Sequence, residues 1–441
     1  MTHDATTRQS PESRGGRFTR RDVLRTAAVA GAVAAPLPWT MSQATPAAAG
    51  ERNPVGLGRL RPATEAVTPF RLHVPESALE DLRYRLRNTR WPEHELVEDW
   101  SQGAPLHRVQ RLVKHWETRY DWRRLERRLN SLGQYRTKID GLGFHFLHVR
   151  SPHPDATPVI LTHGWPGSVV EFLKVIDPLT NPTAHGGHLE DAFHVVIPSL
   201  PGYGFSDKPT ESGWDVMRIA KAWFELMRRL GYDRYIAQGG DWGASVTTAM
   251  GKLWPKELIG VHLNLPVLFD PPLVGTPTPE EQRVLKQIAD FQANGTAYSA
   301  VQRTSPETIG TALTDSPAGQ AAWIYEKFGL WTDSNHNPES IWSYDEMLDD
   351  IMLYWLPGTA ASAGRLYAES FASAFIRHEL DLPVGVTIFP KDIFTAPKIW
   401  GERTYHNLVH WNEAKHGGHF AAFEQPKIFT EELRKFARLI R

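Results

Sequence analysis

Between Gln238 and Gly243 the chain reads QGGDWG, and Gly239-x-Asp241-x-Gly243 has the spacing of the strand–turn–helix elbow that usually presents a serine nucleophile. Here the middle residue is an aspartate. A carboxylate in that place suits attack on a saturated carbon: serine would leave an ether that could not be cleaved, whereas aspartate leaves an ester that water can hydrolyse. A free aspartate, with a pKa of about 3.9, is ionised at neutral pH. The first step therefore needs no general base, and only the activation of water in the second step does. Taken alone, Asp241 reads more simply as the cap of a following helix. Two other stretches reverse that reading.

Upstream, HGWPGS (His163 to Ser168) follows the strand-like PVILT. In an elbow fold the loop at this point supplies one backbone N–H of an oxyanion hole, and the residue after the nucleophile supplies the other. This assigns the main chains of Trp165 and Trp242. Near the C-terminus, HGGHF (His416 to Phe420) follows NLVHWNEA, where the general base arrives in the chain order nucleophile, acid, base. His419 is the expected base, with His416 its rival. The orienting carboxylate should follow the preceding strand, and VGVTIFPKDIF offers Asp392 there, ahead of Glu402 and Glu413.

These residues need a scaffold. Apolar runs bounded by glycine and proline predict strands at GFHFLHVRS, PVILTHG, FHVVIPSL, RYIAQGG, IGVHLNLP, VGVTIFP and NLVHWNEA, with helical patterns such as DVMRIAKAWFELMRRLG between most of them. That alternation predicts an α/β fold, a doubly wound, mostly parallel sheet covered on both faces. It stops after Pro266 and resumes near Leu382, and the helix-rich, aromatic-rich segment between reads as a lid over the carboxyl ends of the strands. The expected organisation is a leader over residues 1–50, a helical arm over 51–135, core over 136–268, lid over 269–380 and core again over 381–441. Within the arm, PESALEDLRYRLRNTRWP spaces Leu79, Leu82 and Leu86 three and four apart, and the pattern stays helical from Val67 to about Tyr135. The arm admits two readings, a brace for core and lid or an interface for a homodimer.

The leader runs from basic to apolar, RGGRFTRRDVLRTAAVAGAVAAPLPW, and ends in small residues at Ala47-x-Ala49. Thr19 to Arg25, TRRDVLR, has the form of a twin-arginine export motif, so the expected destination is the periplasm or the medium. The apolar run falls short of the roughly 20 residues a spanning helix needs. Lys and Arg number 49 against 50 Asp and Glu, a formal charge of −1, which offers no attraction for nucleic acid or an anionic membrane and favours a small, weakly charged substrate. The absence of cysteine excludes disulfides and thiolate chemistry, and 16 tryptophans are ample for an apolar pocket as well as a core.

HGWPGS, GGDWG, IFPKD and GGHFAAFEQP, together with TPFRLHVPESALEDLRYRLRNTRWP in the arm, resemble the microsomal-type epoxide hydrolases of the α/β-hydrolase fold from about Val67 to the end. The resemblance implies an Asp241–His419–Asp392 triad, an apolar epoxide and water as substrates, and no metal or organic cofactor. It also implies two lid tyrosines that donate hydrogen bonds to the epoxide oxygen: GTAYSAVQRTSPETIG matches at Tyr298 and GRLYAESF at Tyr367, with Tyr325 and Tyr354 as alternatives. An aspartate elbow followed by tryptophan also suits a haloalkane dehalogenase, and some proteins of this fold are ligand receptors without catalysis.

Overall fold

The computed structural model describes residues 60–374 and 376–441, so the expected leader lies outside the described residues. The described strands are β1 (Thr68–Pro69), β2 (Gln134–Ile139), β3 (Leu142–Val149), β4 (Thr157–Thr162), β5 (Phe193–Pro198), β6 (Tyr235–Gly239), β7 (Leu258–Leu263), β8 (Val384–Ile388) and β9 (Leu408–Glu413). They form one sheet in the order β1-β2-β3-β5-β4-β6-β7-β8-β9. Pairing is antiparallel from β1 through β3 to β5 and parallel from β5 to β9. The parallel part carries helices between its strands, α4 (Ile176–Thr180), α5 (Val216–Arg229) and α6 (Trp242–Leu253) before β7 and α13 (Lys398–Thr404) before β9, and two more, α14 (Ala421–Glu424) and α15 (Pro426–Ile440), after β9. Strands β5, β6 and β8 are buried along their whole length, as continuous apolar runs in a doubly covered sheet should be.

Two strands fall outside the sequence expectation. β2 occupies QYRTKI, at the end of the segment read as helical, and pairs with β3 through Asp140–Gly141, both with positive φ (48° and 79°). That is the two-residue turn whose twist matches a hairpin, and Asp-Gly is its strongest sequence signal. β1 adds two residues of the arm to the outer edge of β2, so the arm joins the sheet before it turns helical.

Arm helices α1 (Glu76–Arg87), α2 (Leu106–Thr118) and α3 (Trp122–Ser131) bury one face each, α1 through Ala78, Leu79, Leu82 and Leu86. Lid helices α7 (Pro279–Asn294), α8 (Ala297–Thr304), α9 (Pro306–Asp315), α10 (Pro317–Leu330), α11 (Tyr344–Trp355) and α12 (Ala360–Ala374) lie in sequence between β7 and β8, which are themselves adjacent and parallel. The chain thus leaves the sheet at one strand's carboxyl end and returns to the next position in the same sheet.

The arm grips this lid. Arg85 donates to the Asp315 carbonyl at 2.8 Å and carboxylate at 3.0 Å, Arg108 to Asn337 and Glu339 at 2.9 and 3.1 Å, and His115 pairs with Asp345 at 2.7 Å. Tyr120 and Arg124 both donate to Asp349, at 2.8 and 2.6 Å. The Trp100 ring covers Gly329, where a Cβ would stand 2.2 Å from it. Exposed ion pairs are worth at most about 1 kcal/mol each, so the buried Asp349 and Trp100 contacts dominate this interface. No helix among the described residues is long and apolar enough to cross a membrane.

The closest backbone-to-backbone approach in the core is at Gly243, where a Cβ would stand 1.9 Å from the Thr162 carbonyl oxygen and force α6 away from β4. Gly141 also has positive φ, but nothing lies within 4 Å of its Cβ position. Gly243→Ala is expected to destabilise by about 3 kcal/mol or more, against about 1 kcal/mol for Gly141→Ala, where only backbone strain is added. Thermal melts of the two variants beside the parent check the order.

Candidate active site

Asp241 stands between β6 and α6 with φ 51° and ψ −130°, a conformation that L-residues rarely adopt. The surroundings hold it there. Gly239 and Gly243 let strand and helix close on each other, for a Cβ on Gly239 would meet the Gly243 carbonyl oxygen at 2.1 Å. α6 is buried on every side from Trp242 to Gly251, so packing fixes the helix that carries the elbow.

The HGWPGS turn follows β4, next to β6 in the sheet. Its backbone meets the carboxylate directly: the Trp165 N–H donates to Asp241 Oδ1 at 2.8 Å. Gly164 makes room, since a Cβ there would stand 2.1 Å from Asp241 Oδ1. Trp242, the other expected oxyanion donor, opens α6 immediately after Asp241. His163 of the same turn is occupied otherwise. It is buried, its Nδ1 bonds the Gly164 carbonyl at 2.9 Å, its Nε2 accepts from the Leu200 N–H at 3.2 Å, and burial lowers its pKa to about 4.

His419 lies beyond β9 with its side chain 3% exposed, Nε2 3.2 Å from Asp241 Oδ2 and Nδ1 2.7 Å from Asp392 Oδ1. Asp392, beyond the adjacent β8, also accepts the Ile393 N–H at 2.7 Å. The two loops are tied by the Lys391 N–H bonding the Gly417 carbonyl at 3.0 Å. Burial disfavours the charged ring, but Asp392 and Asp241 together outweigh it and raise the His419 pKa well above the ordinary 6.5. At neutral pH the group is an imidazolium between two carboxylates. The rivals are elsewhere: His416, Glu402 and Glu413 are exposed, and Glu402 pairs with Lys398 at 3.0 Å.

Above the carboxylate sit the lid aromatics. Tyr298, in α8, stacks on Trp165 with ring centroids 4.9 Å apart and planes 11° apart, while Tyr367, in α12, meets the Trp242 ring edge-on at 4.7 Å. The two tyrosine rings are 6.0 Å apart. Burial, and then the Asp241 charge, hold the Tyr298 hydroxyl protonated far above its ordinary range, and burial does the same at Tyr367. Among the described residues the Tyr367 hydroxyl meets no hydrogen-bond partner of good geometry, although Tyr298 and the Trp242 side chain flank it. Tyr325 and Tyr354 turn away: Tyr325 donates to Glu339 at 2.7 Å and Tyr354 to the Gly167 carbonyl at 2.6 Å.

Several contributors escaped the sequence reading. The Trp331 carbonyl accepts the His419 N–H at 2.8 Å, and its ring lies 5.0 Å from the imidazole. Glu424 accepts the N–H groups of Asp333, Gly418 and Phe420, which binds the lid to the base loop. Ser168 donates to the buried Asp350 of α11 at 2.5 Å, and burial raises the Asp350 pKa to about 8. Glu171 lines a cavity beside Asp241 and His419. Only Glu424 carried a usable signal, lying one turn beyond GGHF at the start of the terminal helices; the others depend on contacts across the lid.

A family model described as "Epoxide hydrolase N terminus" matches residues 67–172, and one described as "alpha/beta hydrolase fold" matches residues 157–322. The chain is 61% identical over 376 residues, 85% of its length and 86% of the relative's, to a protein of Stigmatella aurantiaca that bears an epoxide hydrolase name. It is 34% identical to epoxide hydrolase 1 of Sus scrofa, over 86% of this chain and 91% of that one. The crystal structure of juvenile hormone epoxide hydrolase from Bombyx mori superposes with a TM-score of 0.77 at 31% identity, covering 85% of this chain and 94% of that one. With likeness of this degree running through arm, core and lid, the chain belongs to the epoxide hydrolase family of the α/β-hydrolase fold.

Proposed function

We propose that this protein converts a small apolar epoxide and water to a vicinal diol through an ester on Asp241. The observation that carries this reading is the placement of His419 between Asp241 and Asp392, under two buried tyrosines whose hydroxyls stay protonated. Asp241 Oδ2 attacks one ring carbon as the C–O bond of the epoxide breaks. Tyr298 and Tyr367 donate to the oxygen as charge develops on it, where preorganised donors are worth most. The His419 proton replaces the one the tyrosines surrender, so the alkoxide ends as a hydroxyl and the imidazole as a neutral base.

Esterification itself releases that base. Once Asp241 is an ester its charge is gone, and with it one of the two interactions that hold the His419 proton. Neutral His419, oriented by Asp392, then takes a proton from water while the water oxygen bonds to Cγ of Asp241. Oδ1 already accepts the Trp165 N–H at 2.8 Å, inside the range for an oxyanion donor, and Trp242 supplies the second N–H. Collapse breaks the bond between Cγ and the product oxygen. The remaining proton of the water passes to that oxygen, and the carboxylate and imidazolium are restored.

His419→Gln is expected to form the ester and hold it, so intact-mass analysis after mixing with a styrene-type epoxide should show a persistent adduct mapping to Asp241. An unmodified protein, or halide release from chloroalkanes without diol formation from epoxides, would overturn the reading. Tyr298→Phe or Tyr367→Phe should each slow ester formation by about 10²-fold and the double variant by more, measured as the first phase of a rapid-quench experiment. On the leader sequence alone we also propose export by the twin-arginine route. Replacing Arg20 and Arg21 by lysine should leave the protein in the cytoplasm on fractionation, and unchanged export would exclude the route.

A further inference from the structure

His419 stands on a loop whose own backbone has to be held. The N–H groups of Gly417, Gly418, His419 and Phe420 donate in turn to Asp333 Oδ2 at 3.0 Å, Glu424 Oε2 at 3.1 Å, the Trp331 carbonyl at 2.8 Å and Glu424 Oε1 at 3.1 Å. Asp333 and Trp331 belong to the lid, in the connection from α10 to α11. Glu424, in α14, joins that connection to the loop, because the Oε2 that takes the Gly418 N–H also takes the Asp333 N–H at 2.9 Å. Asp333 therefore accepts from the base loop through its side chain and donates to Glu424 through its main chain.

The glycine pair ahead of His419 has its reason in this contact. A Cβ on Gly418 would stand 2.4 Å from the Trp331 carbonyl oxygen and 2.9 Å from Thr332 Cα, so loop and lid meet backbone to backbone, and Gly417 has φ 106°, which favours glycine. The tyrosines reach the site from other parts of the lid. Tyr298, in α8, stacks on Trp165, and Tyr367, in α12, meets the Trp242 ring. Trp331 borders both groups, its ring 5.1 Å from Tyr298 and 5.0 Å from His419, whereas the carboxylates of Asp333 and Glu424 accept from the base loop.

We propose that Asp333 and Glu424 are positioning residues for His419, a latch through which the α10–α11 connection of the lid sets the distance from the imidazole to the Asp241 ester. The inference rests on the ester reading of the preceding section. The lid then serves the two half-reactions with separate parts: α8 and α12 carry the donors for ring opening, and the α10–α11 connection holds the base for hydrolysis. Neither latch carboxylate touches the substrate or exchanges a proton with it. A displacement of about 1 Å in a reacting group costs on the order of 10²-fold in rate, and that is the effect a loosened base loop has on hydrolysis.

Single-turnover quench of the full-length protein, read by intact mass, separates ester formation from ester decay. In Asp333→Ala, formation should stay within about threefold of the parent while decay slows by about 10²-fold. Asp333→Asn keeps an oxygen for the Gly417 N–H, and decay should recover to within about threefold of the parent. Glu424→Gln turns an amino group toward one of the N–H donors, should slow decay in the same selective way, and replaces the alanine variant where that one does not fold. In a His419→Gln background, where the base is gone, Asp333→Ala should change the residual decay by less than about threefold, since nothing is left to position. Parental decay in Asp333→Ala or Glu424→Gln, no recovery in Asp333→Asn, formation and decay falling together, or a full further loss in the His419→Gln background would overturn the assignment. An absence of ester in the parent would instead overturn the mechanism on which it rests.

Discussion

A buried imidazolium held between two carboxylates is the constraint on which the rest of this structure turns. The His419 side chain is nearly inaccessible, and a charge withdrawn from water to that degree is tolerated only where partners surround it. Asp392 at 2.7 Å and Asp241 at 3.2 Å are those partners. His419, Asp392 and Asp241 come from loops after three different strands, and β7 lies between the strand of one carboxylate and that of the other. The sheet must therefore place three strand ends to within a fraction of an ångström, which explains the close backbone approaches at Gly239, Gly243 and Gly164. In the proposed mechanism it also sets the order of events, because loss of charge at Asp241 is what would free the imidazole to act on water.

The lid does more than cover this arrangement. α11 presents Asp349 and Asp350 side by side in sequence, and on a helix adjacent residues point about 100° apart. Asp349 faces the arm, where Tyr120 and Arg124 bind it, while Asp350 faces inward and accepts the Ser168 hydroxyl. One turn on, Tyr354 donates to the Gly167 carbonyl. A single helix thus connects the arm to the turn that carries the Trp165 N–H. Trp331 and Glu424 make the corresponding connection between lid and base loop. The arm accordingly braces the lid, one of the two roles its sequence allowed.

The candidate site was legible because it sits on loops with unusual composition: an aspartate between glycines, a His-Gly-Trp-Pro turn, a glycine pair before a histidine. The parallel strands were legible as apolar runs. What escaped was of two kinds. The β2–β3 hairpin was signalled by Asp140–Gly141, but polar QYRTKI, half a strand against a covered neighbour, lacks the apolar continuity of the other strands. Glu171, Asp350 and Trp331 act through contacts between segments remote in sequence, and a lone glutamate one turn past HGWPGS is indistinguishable from an exposed helical residue until the lid is in place.

In the proposed ester mechanism Asp241 is approached twice, by two reagents that must not exchange places. In that mechanism the epoxide would meet Oδ2 on the lid side, where Tyr298 stacks on Trp165 and Tyr367 meets the Trp242 ring. Water must instead reach Cγ, and its oxygen cannot approach in the plane of the ester because Oδ1 and the product oxygen occupy that plane. The cavity behind HGWPGS touches the carboxylate without touching the tyrosines, so it supplies a separate approach.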